Sequence, residues 1–202
     1  MSPSPVVLSG MHIRLEPLTL DHVPGLARAG LFPELWRLQP AAINDEHDMR
    51  AYVVQALDEQ QRGLSLPFAI VRQSDDEVIG STRYMDIALP HRRLEIGATW
   101  FSPACQRSGA NTEAKLLLLT YAFESLNLIR VVFKTEVLNQ QSRQALARLG
   151  AVEEGVFRQH LMAASGRRRD MVYFSILDSE WPAVRAALAN RLADRGRLGR
   201  AE

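Results

Sequence analysis

An α/β fold, with a mixed central sheet and helices on both faces, follows from the order of periodicities along this chain of 202 residues. Apolar runs in the first half are joined by short polar turns, as in hairpins. Apolar runs in the second half alternate with stretches of helical period, as in crossover units. The length suits one compact domain with a short appended helix.

Met11–Pro17 alternates Ile13 and Leu15 with Arg14 and Glu16 and reads as the first strand. Asp21 can cap a short helix that turns Val23, Leu26 and Ala27 inward, with Pro24 tolerated in the first turn. Pro33 and Pro40 break the next segment, leaving room for one helical turn. Asn44-Asp45 is a second cap signal, before a helix from about His47 to Gln61 with Met49, Tyr52, Val53, Ala56 and Leu57 as its apolar stripe. Leu66–Arg72 and Val78–Met85 form a hairpin across a polar turn. In Leu94–Phe101, Leu94, Ile96, Ala98 and Trp100 share one face, and Gly97 marks a bulge or a close backbone approach. Asn111–Leu126 is a strong helix with a stripe of Leu116, Leu119, Ala122, Phe123 and Leu126. Arg130–Thr135 is a strand, and Asn139–Leu149 a helix stopped by Gly150. Ala151–Arg158 and Arg169–Leu177 are a last strand pair joined across Ser165-Gly166. Ser179–Leu192 is a terminal helix with Pro182 in its first turn. About seven strands result. The expected organisation is a flexible N-terminus (1–10), one domain (11–178), a C-terminal helix (179–194) and a basic tail (195–202) carrying Arg195, Arg197 and Arg200.

Composition excludes several classes. Apolar residues are 47% and charged residues 23%, ordinary for a soluble globular protein. A net charge of +1 gives no reason to expect bulk nucleic-acid binding. No apolar run approaches the roughly 20 residues of a membrane span, and Met1–Pro5 lacks the basic start and apolar run of a signal peptide. Cys105 is the one cysteine, so no intrachain disulfide can form. A cytoplasmic protein is expected. His12, His22, His47, His91 and His160 include no pair at metal-ligand spacing, and no metal site is expected.

Chemistry concentrates in the strand–loop–helix run Trp100–Lys115. A helix N-terminus leaves backbone N–H groups unpaired, with a partial positive charge that suits phosphate. Gly109 lets the chain turn sharply, and Arg107 and Lys115 add full charge nearby. These residues describe a candidate anion site, and an ordinary strand–helix turn explains them equally well.

Gln106-Arg107-Ser108-Gly109-Ala110-Asn111 resembles the pyrophosphate loop of the GNAT acetyltransferase superfamily, a Gln/Arg-x-x-Gly-x-Gly/Ala pattern, with Asn111 departing at the last position. Asn111-Thr112-Glu113-Ala114-Lys115 resembles a variant in the ribosomal-protein N-terminal (RimJ/RimL-like) branch. So do Leu94-Glu95-Ile96-Gly97 upstream, and Asn139-Gln140-Gln141-Ser142 with Ala145–Ala151 downstream. The resemblance extends from about His12 to Leu177. It implies the GNAT fold, with Leu94–Phe101 and Arg130–Thr135 parallel and splayed at their C-terminal ends. It implies acetyl-CoA as cosubstrate and transfer of acetyl to a primary amine, on a protein N-terminus or a small molecule. A homodimer is compatible with the branch.

The same resemblance nominates site residues. The backbone of Trp100, Phe101 and Ser102 would pair with the pantetheine arm like an added strand. Gln106, Arg107, Ser108, Gly109, Ala110, Asn111 and Thr112 would hold the diphosphate. A backbone N–H near Thr99 or Trp100 would meet the thioester carbonyl. Asn139 is explained by capping, by cofactor contact, or by both. Ser142 would protonate the leaving thiolate, since no tyrosine falls in its segment. Glu95 is the first choice for taking the amine's proton, against a cross-strand ion pair with Arg93 or Arg130; Glu136 and then Asp86 follow. Cys105, with no histidine near it in sequence, packs under the loop rather than carrying an acyl group. Arg167-Arg168-Arg169 is a solvated turn, or a site for an acidic acceptor or the CoA 3′-phosphate. Phe32 and Trp36 wall the acceptor pocket or pack in the core. A chain that binds CoA without transferring acetyl is the competing reading. A dinucleotide-binding fold is a poor third reading, since no G-x-G-x-x-G run opens a βαβ unit.

Overall fold

The computed structural model describes residues 3–39, 42–163 and 166–198, with side chains described up to residue 194. The elements run β1 (Leu8–Ser9), β2 (Ile13–Pro17), α1 (Val23–Gly30), α2 (Pro33–Trp36), α3 (Glu46–Gln61), β3 (Ser65–Arg72), β4 (Val78–Ala88) and β5 (Arg93–Phe101). They continue with α4 (Ala110–Thr120), β6 (Arg130–Glu136), α5 (Gln140–Leu149), β7 (Val152–Met162), β8 (Arg168–Leu177) and α6 (Trp181–Leu198). One sheet holds all eight strands in the order β1-β2-β3-β4-β5-β6-β8-β7. Every pairing is antiparallel except β5 with β6.

Local chemistry explains the boundaries. Asp45 caps α3 by accepting from the Asp48 N–H at 2.8 Å, and Asp48 in return accepts from the Asn44 N–H at 2.9 Å. Asn139 caps α5 the same way, and Gly150 closes it at φ 100. Before α1 it is Thr19 and His22, rather than Asp21, that close the turn, with the Thr19 N–H donating to His22 Nδ1 at 3.1 Å. α4 ends in a wider turn over Tyr121–Ser125, where the Leu126 N–H reaches back to Tyr121 and the buried Tyr84 hydroxyl donates to the Leu118 carbonyl at 2.6 Å.

Two apolar layers flank the sheet. One packs Leu94, Ile96, Phe101, Val131 and Phe133 against α4, α5 and α6 through Ala114, Leu118, Leu146 and Leu188. The other packs Val71 and Trp100 against α1–α3 through Leu26, Trp36, Met49 and Val53.

The sheet has eight strands rather than about seven, because Leu8–Ser9, in a segment expected to be flexible, pairs with Arg14–Leu15. β7 runs on to Met162, and α6 continues past residue 194 to Leu198. The expected Ser165 turn and Arg200 lie outside the described residues. The expected common face of Leu94, Ile96, Ala98 and Trp100 does not hold. The β4–β5 register shifts between Ser81 and Arg83, and Ala98 sits at φ 47, so an extra residue reverses the alternation. Trp100 therefore enters the α1–α3 layer, and Phe101 takes its place beside α4. Sequence marked Gly97 as the irregular position; the bulge falls on the next residue.

Candidate active site

β5 and β6 pair only at Arg93–Arg130, Leu94–Val131 and Glu95–Val132. Beyond those pairs β5 continues to Phe101 and β6 to Glu136 without pairing to each other, while β6 stays bonded to β8 along its length. A wedge opens between the two strands. Its β5 wall carries backbone groups that no strand satisfies. The Ser102 N–H donates to the Ile79 carbonyl at 2.8 Å and the Ser102 carbonyl accepts from the Cys105 N–H at 2.9 Å. Ladder alternation then turns Trp100 toward Ser81 of β4 and the backbone of Phe101 and Thr99 toward the wedge. Of the three residues expected to offer main chain there, Phe101 faces the wedge with its carbonyl taken by Gln106 Nε2, Trp100 faces β4, and both main-chain groups of Ser102 are already bonded.

The loop beyond β5 is folded around two left-handed residues, Arg107 at φ 62 and Gly109 at φ 105. Ser108 braces it, donating from Oγ to the Cys105 carbonyl at 2.7 Å and receiving the Ala110 N–H at 3.3 Å. Gly109 is the N-cap of α4, and the next intrahelical bond is from the Glu113 N–H to the Gly109 carbonyl at 3.0 Å. The amides of Asn111 and Thr112 thus stand at the helix start, where no carbonyl lies one turn back. Asn111 is exposed there and Arg107 is exposed in the loop. Gln106 spans the mouth of the wedge: its Nε2 donates to the Phe101 carbonyl at 3.4 Å and its Oε1 accepts from Gln141 Nε2 on α5 at 3.3 Å.

Lys115 does not add charge to this loop. It points into the protein, 6% exposed, and its Nζ donates to Thr99 Oγ1 at 2.8 Å. Desolvation lowers its pKa to about 7. Its neighbour Glu113 is also buried and accepts from the N–H groups of Met11, His12 and Ile13 at 2.5 Å, 3.1 Å and 3.0 Å. Sequence reading missed both inward roles, because a surface helix with a leucine stripe accounts for the same letters. The signal that could have found them is spacing: Glu113 and Lys115 flank Ala114, which lies fully buried.

At the root of the wedge stands Glu95, 3% exposed. Its partner is Lys134 of β6 at 2.9 Å, neither Arg93, which pairs with Asp86, nor Arg130, which pairs with Glu154. Desolvation raises the Glu95 carboxyl, and the Lys134 charge only partly offsets it. Gly97 lies on the same face two residues on, and a Cβ there would come within 2.7 Å of Glu95 Oε1. A side chain at position 97 would therefore displace the Glu95 carboxylate from its present place. Ser142 sits half-buried in the first turn of α5, its N–H donating to Asn139 Oδ1 at 3.0 Å, so Asn139 does cap.

The remaining candidates fall elsewhere. Glu136 is locked by Arg167 and by Arg169 Nε at 2.7 Å; the Arg167 hydrogen bond, ahead of burial and Arg169, holds its carboxyl below the usual range. Arg169 is buried and also donates to the Leu38 carbonyl at 2.8 Å, and Arg168 donates to Gln159 at 2.9 Å. Within the arginine run only Arg169 is buried; Arg167 and Arg168 stay exposed while pairing with Glu136 and Gln159. Asp86 is exposed and paired. Cys105 is buried, with Arg72 Nη1 at 3.6 Å from its sulfur. Trp36 is core, edge-on to Tyr52 and Trp100, whereas Phe32 is exposed. Among the described residues no group of His, Cys, Asp and Glu could hold a metal, and no helix is long and apolar enough to cross a membrane.

The family description Acetyltransferase (GNAT) domain matches residues 12–152. The chain belongs to the GNAT acetyltransferase family. Within it, the chain is 36% identical over 107 residues to the provisionally named ribosomal N-acetyltransferase YdaF of Bacillus subtilis, covering 53% of this chain and 57% of that one. It is 28% identical over 172 residues to the ribosomal-protein-serine acetyltransferase of Escherichia coli, covering 83% and 94%. A solved acetyltransferase of provisional name from T. thermophilus superposes with a TM-score of 0.86 at 39% identity, covering 95% of this chain and all of that one. Two of these relatives carry ribosomal acetyltransferase names, in line with the resemblance of the motifs to the RimJ/RimL-like branch. The eight-stranded mixed sheet, its one parallel pair and the C-terminal helix are the GNAT fold as this chain builds it.

Proposed function

We propose that this N-acetyltransferase moves acetyl from acetyl-CoA directly to a primary amine, and that the acceptor is a protein N-terminus; two of its relatives are named for acetylation of ribosomal targets. The observation that carries the reading is the wedge after Glu95 and Val132, opening beside the turn at Gly109. A pantetheine arm in that wedge would bond to the main chain of Phe101 and Thr99 as an added strand. The diphosphate would meet the amides of Gly109–Thr112, with Gln106, Arg107 and Ser108 around it and Asn139 across the mouth.

The amine nitrogen attacks the thioester carbon, and the oxyanion that forms is met by a backbone N–H at the β5 bulge. Glu95, directly or through a water, takes the proton from the amine. Desolvation raises its carboxyl above the ordinary range, which makes it a stronger proton acceptor than an exposed glutamate. As the C–S bond breaks, the Ser142 hydroxyl protonates the thiolate and regains its proton from solvent. The test is a screen of ribosomal-protein N-terminal peptides and small amines with thiol detection, alongside CoA titration by calorimetry. Turnover on peptides alone supports the acceptor named. Turnover on small amines alone overturns the acceptor, and CoA binding with no turnover at all overturns the enzyme reading in favour of a CoA-binding module.

A further inference from the structure

The α4 face of the β5 bulge holds a lysine that acetyl transfer, as described above, does not use. Lys115 is fully enclosed between α4 and the sheet, and among the described residues no carboxylate lies within ion-pair distance of it. Thr99 Oγ1 is its hydrogen-bond partner, and the same hydroxyl lies 2.8 Å from Thr82 Oγ1 of β4 and 3.4 Å from the Gly97 carbonyl. An unpaired buried ammonium costs several kcal/mol, so an apolar residue of the same length would serve the core better. What the lysine gains in exchange is a grip on one residue. That residue belongs to the bulge, where Ala98 is held at a strained φ of 47 and the ladder slips by one.

We propose that Lys115 is a positioning residue for acetyl transfer: from inside α4 its amine holds the Thr99 hydroxyl and so fixes the bulge peptides that face the thioester. The inference rests on the transfer reading above. A peptide donor works on an oxyanion only when held at hydrogen-bond distance from where the charge develops, and a displacement of about 1 Å can cost ~10²-fold in rate. Thr82 closes the clamp from the neighbouring strand, so the bulge is held from β4 and from α4 at once. The burial that lowers the Lys115 pKa to about 7 also lets the amine serve in either protonation state, since both can donate to Thr99.

The test compares Lys115→Met, Thr99→Val and Thr99→Ser for kcat, KM, CoA affinity by calorimetry, melting temperature and amide exchange at Thr99. A clamp predicts that Lys115→Met lowers kcat by ~10-fold or more with CoA affinity unchanged and melting temperature unchanged or raised. Thr99→Val should reproduce that loss, Thr99→Ser should restore it, and the Lys115→Met/Thr99→Val pair should be no worse than the worse single variant. Wild-type kcat in Lys115→Met, additive losses in the pair, or a parallel fall of kcat, CoA affinity and melting temperature would each overturn it. A wild-type chain that binds CoA but acetylates nothing defeats the transfer reading instead. The clamp is then judged on exchange alone: faster Thr99 exchange in Lys115→Met upholds the grip, and unchanged exchange removes it.

Discussion

Glu95 and Glu136 are two buried carboxylates on the same face of the sheet, each beside a cation, and their surroundings push them in opposite directions. Glu95 has one half-buried lysine and a desolvated position, so its carboxyl rises. Glu136 has two arginines in direct contact, so its carboxyl falls despite burial. Charge density around the group, more than depth, decides which can take a proton. The first is held above the usual carboxylate range by desolvation, and the second is a rivet between β6, β8 and the segment at Leu38.

That contrast is open to attack at several points. Glu95→Gln should lower kcat by about two orders of magnitude or more while CoA affinity stays put; steady-state kinetics with calorimetry checks both. Glu136→Gln should do the reverse, leaving activity of the folded protein little changed while costing about 3 kcal/mol or more in denaturant unfolding, because buried Arg169 loses its counter-charge. Equal kinetic losses in the two variants would erase the distinction. Gly97→Ala should slow turnover by roughly tenfold without loss of CoA binding, since its methyl would displace the Glu95 carboxylate. Lys134→Met removes the charge that opposes desolvation, so the acid limb of the kcat/KM profile should move to higher pH. A limb that stays in place would mean that Glu95 does not titrate in the rate.

The smallest effect lies in stability against pH. For Glu95 the folded value lies above the unfolded one, so folding binds a proton and the group's contribution declines as pH rises from the unfolded value to the folded one. Glu95→Gln should therefore gain on the wild type across that window. For Glu136 the folded value lies below, so its contribution is full above the unfolded value and is lost as pH falls through the folded one. Glu136→Gln should therefore look least harmful in acid.

The fold was largely legible in the sequence. Caps at Asp45 and Asn139, the stop at Gly150 and alternation in β2 act through neighbours in sequence, so local pattern reports them. The loop turn at Gly109 was legible for the same reason. What escaped depended on partners far along the chain. One inserted residue at Ala98 sent Trp100 to the opposite layer, and no local rule distinguishes that from unbroken alternation. The partner of Glu95 is Lys134, 39 positions away and one strand over, while nearer arginines were taken by other acids. Lys115 read as charge beside the loop, and the inward turn of Glu113 went unread, because their partners, Thr99 and Met11–Ile13, are set by the sheet.

Glu113 has a practical corollary for anyone preparing this protein. Its carboxylate anchors the peptide amides of residues 11–13 from the opening turn of the helix that begins at Gly109. Shortening the gene to start at residue 14 would leave that acid facing nothing inside the protein, in the first turn of α4. A purification handle placed ahead of residue 3 leaves the anchorage alone, whereas a start site moved downstream reaches the loop at Gly109, which is remote in sequence.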